Sequence, residues 1–403
     1  MKICGACLNF RNNDKSGLYI MKLQSLILFP KSSTHQETGP WMRLVVVSFI
    51  AVWTWSCQPD KTPVPKEYPE PTPYTWVNKA FFPPPVLPAD NPLTLQGIEL
   101  GRHLFYEKKL SGDNTQSCGG CHRLNYAFSD SLNRYSTGID GISGNRNSMA
   151  LFNLSWHTRF FWDGRAPSLR EQILLPIQDP IEMHQTLPEA VRKLSETPKY
   201  KALFGAAFRS EEVSSDRIAR AIEQFLLTVV SSDSRFDRFR QNPVANPLTA
   251  SEQRGFDLFM REYSAPSAGR PKGADCFHCH GGHLFRVDAF FDNGLDDQPA
   301  AGFESATGLA SDRGKFKATS LRNIALTAPY MHDGRFSTLE DVLDHYSQHI
   351  KNSPNLDPNL RVAYQSEGGL NLSSQDKQDI IAFLHTLTDS SFISKPDYQP
   401  PLN

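Results

Sequence analysis

Two copies of one pentapeptide pattern, Cys118-Gly119-Gly120-Cys121-His122 and Cys276-Phe277-His278-Cys279-His280, constrain this chain more than any other feature. Cysteines three positions apart on one helical turn can form two thioether bonds to a single haem, and the histidine that follows then lies beneath the iron as proximal ligand. With seven cysteines and 12 histidines in 403 residues, such a motif arises by chance roughly 0.004 times per chain. Two copies therefore predict two covalently attached c-type haems on Cys118, Cys121, Cys276 and Cys279, with His122 and His280 on the irons. A zinc ribbon would need its cysteine pairs about 15 to 20 residues apart, and Cys121 and Cys276 are far more distant. A redox-active thiol pair has no use for the histidine twice.

The rest of the composition narrows the context. The net charge of −1, with both signs mixed along the chain, creates no broad field for nucleic acid or an anionic membrane. The leftover cysteines, Cys4, Cys7 and Cys57, suggest no disulfide framework. Residues 1–57 read as a leader. Arg43 precedes an apolar run, Leu44 to Trp55, too short to span a bilayer but suited to an export signal, with Met42 as the expected start. Ser56-Cys57 makes Cys57 a candidate for lipid attachment. Export places the protein in a bacterial periplasm. Residues 58–92 are crowded with proline and read as an extended tether.

Past that point the chain repeats itself, which predicts a mainly α fold of two tandem cytochrome c-like domains, 93–240 and 241–403. Each half opens with a short helix ending in a bulky pair (Leu104-Phe105, Leu258-Phe259) and runs into its Cys-x-x-Cys-His. Each closes with an amphipathic helix, around Ile218, Ala221, Ile222, Phe225 and Leu226 and around Ile380, Ile381, Phe383, Leu384 and Leu387. Between these helices Asn153, Asp163-Gly164-Arg165 and Ser168-Leu169 match Asn323, Asp333-Gly334-Arg335 and Thr338-Leu339 at one constant spacing.

Where the copies differ is more informative. At the same spacing Pro176 matches Tyr346, so one segment offers a non-ligating ring and the other a phenol. Tyrosinate can coordinate haem iron, as in catalase, and stabilises its oxidised states. The expectation is an open sixth position at the His122 haem and Tyr346 on the His280 haem, with Met331, His332 and His345 as competing ligands. Gln172 and Glu182 flank Pro176. A peroxide-binding haem needs a group that moves a proton between the two oxygens and a polar group that stabilises charge as the O–O bond breaks, and these two residues suit those roles.

Over residues 88–390 the sequence resembles the bacterial di-haem cytochrome c peroxidase superfamily, and within it the MauG-like branch. The resemblance rests on both haem motifs, Trp162-Asp163-Gly164-Arg165, Glu171-Gln172, Pro176, Ile181-Glu182-Met183, and Leu321-Arg322-Asn323 through Ala328-Pro329-Tyr330-Met331-His332-Asp333-Gly334. It implies that Trp162 relays electrons between the haems and that a calcium ion lies between them, at positions matching Asn153, Thr327 and Pro329. Hard oxygen donors suit calcium. Two departures favour the MauG-like branch: Tyr135 to Gly141 lacks the histidine that closes the peroxide-binding iron in other members, and Tyr346 replaces a methionine. The resulting expectation is a peroxidase that reduces hydrogen peroxide at the first haem and draws electrons through the second from a donor or target protein. The alternative is a di-haem electron-transfer protein without peroxide chemistry.

Overall fold

The computed structural model describes residues 66–402, apart from residue 132. The expected leader, the start at Met42 and the candidate lipid site Cys57 lie outside the described residues. From Lys66 onward the chain forms one compact unit, mainly helical, with a single two-stranded antiparallel sheet of β1 (Phe290–Phe291) and β2 (Phe316–Lys317). Among the described residues no helix is long and apolar enough to cross a membrane.

The first half comprises α1 (Leu95–Phe105), α2 (Cys118–Cys121), α3 (Leu169–Gln178), α4 (Leu187–Ser195), α5 (Pro198–Phe208) and α6 (Ser215–Thr228). The second comprises α7 (Arg235–Gln241), α8 (Ala250–Phe259), α9 (Glu304–Thr307), α10 (Leu339–Gln348), α11 (Pro358–Glu367) and α12 (Ser374–His385). Opening and closing helices pack together in each half, α1 on α6 and α8 on α12. A glycine sits at each crossing. A β-carbon on Gly101 would strike the carbonyl of Ala221, and one on Gly255 would strike that of Asp379, so both backbones approach to a distance only glycine permits. The apolar stripes face inward as their spacing predicts: Ile218, Ala221, Ile222 and Phe225 in one core, Ile380, Phe383 and Leu387 in the other, all 1% exposed or less.

The duplication extends to the backbone between the helices. Asn153 and Asn323 each adopt a left-handed conformation at the start of a short 3-10 turn. The isolated bridges Phe160 to Ala166 and Tyr330 to Phe336 then lead into α3 and α10, capped by Ser168 and Thr338.

Two segments depart from the sequence reading. The Pro-rich stretch, in its described part 66–92, is packed on the body and is no free tether. Its aromatics supply burial that proline content conceals: Tyr68 is buried and bonds Glu211 at 2.6 Å, Trp76 and Phe82 meet Trp156 edge-on, and Trp156 Nε1 donates to the carbonyl of Pro83. The C-terminal end, assigned by sequence to the second half, returns to the first core. Phe392 packs on Phe128 and Phe152, and the Tyr398 hydroxyl donates to the Thr228 carbonyl while accepting from Val230 N.

Candidate functional site

The histidine of each motif is held by a backbone carbonyl. His122 Nδ1 donates to Phe128 O at 2.9 Å, which is brought round by a tight turn with left-handed Ala127 and Phe128. His280 Nδ1 donates to Thr319 O at 3.0 Å, from the segment after β2. A carbonyl can only accept, so Nδ1 carries the proton and Nε2 keeps its lone pair for a metal. Burial favours the neutral ring: it lowers the His122 imidazole and pushes His280 down to about 4.

A cavity of about 250 Å³ is lined by Cys276, Cys279, His280, Met331, Tyr346 and Trp162, among others. Tyr346 thus faces the same space as His280, as the ligand expectation requires. The residue is half-buried; burial raises its phenol above the ordinary range, opposed by Asn293, whose Nδ2 donates to Tyr346 Oη at 3.2 Å and reaches Met331 Sδ at 3.4 Å. His345 does not compete, because its Nε2 donates to Asn293 O at 3.0 Å. His332 lies flat against Phe316, ring centres 3.6 Å apart. The cavity's two thiol positions, an imidazole with a free Nε2 and the apolar lining fit a c-type haem.

At the first motif, α3 runs from its Ser168 cap through half-buried Gln172 to Pro176, whose ring removes one helical N–H bond. The chain then folds back, with Met183 N donating to Pro176 O at 3.2 Å, which carries Glu182 beside the motif. Burial chiefly raises the thiols of Cys118 and Cys121, and the nearby charge of Glu182 adds to it at both. The Glu182 carboxyl is itself raised, by burial first and the charge of Asp179 second. The loop expected to lack a distal histidine is pinned here: Ile139 N donates to Glu182 O at 3.0 Å, and His184 pairs with Asp140 at 2.6 Å.

Trp162 is half-buried between the halves, its Nε1 donating to Asn147 O at 2.8 Å. Asn147 N in turn donates to His332 O at 3.0 Å, and His332 occupies in the second copy the place that Trp162 holds in the first.

Comparisons with known proteins identify the family. A family model described as di-haem cytochrome c peroxidase matches residues 95–244. The methylamine utilization protein MauG of Methylorubrum extorquens is 34% identical over 303 residues, 74% of this chain and 80% of that protein. Cytochrome c551 peroxidase of Nitrosomonas europaea is 34% identical over 313 residues, 75% of this chain and 82% of that protein. The chain belongs to the di-haem cytochrome c peroxidase family. A crystal structure of a MauG-like protein associated with microbial copper homeostasis superimposes with a TM-score of 0.73 at 35% identity, covering 81% of this chain and 99% of that one.

As a di-haem cytochrome c peroxidase the protein is an oxidoreductase acting on peroxide, and the family implies haem c as its cofactor. The calcium set expected from the family does not come together as anticipated. Asn153 is 0% exposed and its side chain bonds the main chain of Ser231 at both ends, accepting from its N at 3.0 Å and donating to its O at 3.1 Å. Its partner in the repeat, Asn323, likewise accepts from Asp389 N at 2.8 Å, so this asparagine is a structural tie in both halves. Asn147 is among the asparagines that line the cavity together with Thr327 and Pro329, and Asn153 is not. Sequence reasoning missed Asn147; its only signal was a place between the first motif and Trp162. Among the described residues no cluster of three His, Cys, Asp or Glu forms a metal site; a site built from amide and backbone oxygens has no such cluster to show.

Proposed function

We propose that this peroxidase reduces hydrogen peroxide at the His122 site, drawing the electrons through the His280 site from a donor or target protein, in the bacterial periplasm. When bound, haem supplies the redox-active iron; the rest of the chemistry falls to side chains. Reduction takes two electrons and two protons and yields two waters. Glu182, buried and with a raised carboxyl, accepts the proton of the inner peroxide oxygen and delivers it to the outer one, which leaves as water. The Gln172 amide donates to the charge that develops on the departing oxygen. Trp162 carries electrons between the two sites; its indole N–H is anchored on Asn147, which holds the ring in place. The site formed by Asn147, Thr327 and Pro329 offers oxygens suited to calcium.

One observation carries this reading. The repeated helix presents Pro176 in α3 and Tyr346 in α10, and Tyr346 shares its cavity with His280. One copy is thereby left without a ligand from that helix, while the other has a phenol available to cap the iron. Electron paramagnetic resonance of the resting ferric holoprotein tests it: a high-spin and a low-spin signal together are expected, and two low-spin signals would overturn the peroxidatic assignment in favour of pure electron transfer.

A further inference from the structure

The cavity around His280 has a charged wall that the peroxidase reading leaves unused. Lys317, on β2, is 3% exposed and lines the cavity, and Arg286 is 6% exposed nearby. One carboxylate serves them both. Arg286 Nη2 bonds Asp288 Oδ1, and Lys317 Nζ stands 3.8 Å from the same oxygen. Asp288 is further occupied by Thr158 N at 3.0 Å. The remaining bonds of the two cations go to neutral carbonyls, Arg286 Nη1 to Trp156 O at 2.7 Å and Lys317 Nζ to Arg159 O.

Lys317 therefore lines the cavity with its nearest carboxylate 3.8 Å away and already bonded to Arg286. A buried cation left without a counter-charge is destabilising. Burial first, and then Arg286, push the Lys317 amine down to about 7 against the pull of Asp288. Two further polar atoms are buried without a partner among the described residues, Arg286 Nε and His157 Nε2. His157 comes from the first half, lines the same cavity, and feels the charges of Lys317 and Arg286.

A buried lysine with only a shared carboxylate at 3.8 Å and an orphaned ring nitrogen, both on the wall of a haem-sized cavity, call for an anion inside it. Haem carries two carboxylate side chains. We propose that Lys317 and His157 together receive a propionate of the haem on the second motif, so that a first-half residue completes the second-half site. His157 Nε2 donates to the carboxylate, and Lys317 supplies its counter-charge. The cation also disfavours the more positive oxidised iron, setting the potential of that haem higher than its ligands alone would. The inference rests on the haem at Cys276 and Cys279, and stands whether or not Tyr346 is its ligand.

The test is a redox titration of the holoprotein with resonance Raman measurement of the propionate bending modes, in Lys317→Met, Lys317→Arg and His157→Phe. In Lys317→Met the second haem's propionate mode shifts and its reduced fraction at fixed poise falls about tenfold, equivalent to about 59 mV. Lys317→Arg restores most of the potential, which a merely structural role would not do. His157→Phe shifts the propionate mode alone. The proposal is overturned if folded Lys317→Met keeps both the mode and the potential of the parent protein. Should Lys317→Met not fold, an unshifted mode in His157→Phe overturns it. Tyr346 ligation is read separately, from the tyrosinate-to-iron charge-transfer band of the parent protein; its absence would sink the ligand assignment and leave the propionate result readable.

Discussion

Arg322 and Asp237 are joined inside the second half by two parallel charge-assisted hydrogen bonds, Nη1 to Oδ2 at 2.7 Å and Nη2 to Oδ1 at 2.6 Å, with both side chains almost wholly out of water. Arg322 also donates to His283 O at 3.0 Å and 2.7 Å and lies 4.7 Å from the ring centre of Phe82. This one guanidinium therefore ties α7, the segment after the second motif and the N-terminal arm together.

Removing the charge of Asp237 leaves that guanidinium buried and unpaired. Asp237→Asn should cost about 3–5 kcal/mol, visible in denaturant unfolding of the holoprotein. Burial acts to raise the Asp237 carboxyl, but Arg322 and Ser234 outweigh it and hold it below 3.8. A depressed carboxyl contributes stability that is present above its unfolded value and lost as pH falls through the folded one. The parent protein should accordingly lose stability below about pH 4, and the variant should lose less there. Equal acid sensitivity of the two proteins would contradict the pairing.

The glycines at the helix crossings give a second test. Gly101→Ala and Gly255→Ala each place a methyl against a backbone carbonyl that cannot swing aside. Each should destabilise its half by about 3 kcal/mol, the upper range for overpacking, measured as a drop in Tm. The surface change Gly282→Ala meets no atom within 4 Å but has a φ of 70°, so its cost is confined to backbone strain. A Gly101→Ala protein as stable as the parent would show that the helices can separate without penalty.

Glu182→Gln keeps the shape of the side chain and removes its proton transfer. The rate of the spectral change on adding peroxide to the ferric protein should fall about 10²- to 10⁴-fold, with the resting spectrum unaltered. A parent-like rate in stopped-flow mixing would exclude Glu182 as the proton carrier.

Tyr346→Phe removes the oxygen and retains the ring. The tyrosinate charge-transfer band should disappear and the potential of the second haem should rise, because an anionic oxygen favours the oxidised iron. Met331, whose sulfur already lies 3.4 Å from Asn293 Nδ2, is the residue placed to take over. Optical and redox titrations that match the parent protein would rule Tyr346 out as ligand.

Much of this was legible in the linear chain because its signals are local. Cys118 to His122 is one helical turn, so the attachment chemistry needs no knowledge of the fold. The contrast between Pro176 and Tyr346 was readable because the duplication supplied an internal alignment, and the stripes of α6 and α12 because a period near 3.6 is a property of the sequence. Asn153 misled for the converse reason. Its identity suited an oxygen ligand, but the decisive fact was Ser231, a partner remote in sequence that consumes both ends of its amide.

What the chain alone determined, then, was the pair of haem-attachment motifs, the repeat and the position at which the copies diverge, all written in residues a few places apart or at one constant spacing. Tertiary structure alone decided that His157 and Lys317 share a wall with His280, that Asn147 rather than Asn153 joins Thr327 and Pro329, and that Phe392 and Tyr398 close the first core. Those choices depend on which distant segments satisfy one another's buried charges, amides and apolar faces, and spacing along the chain holds no record of that competition.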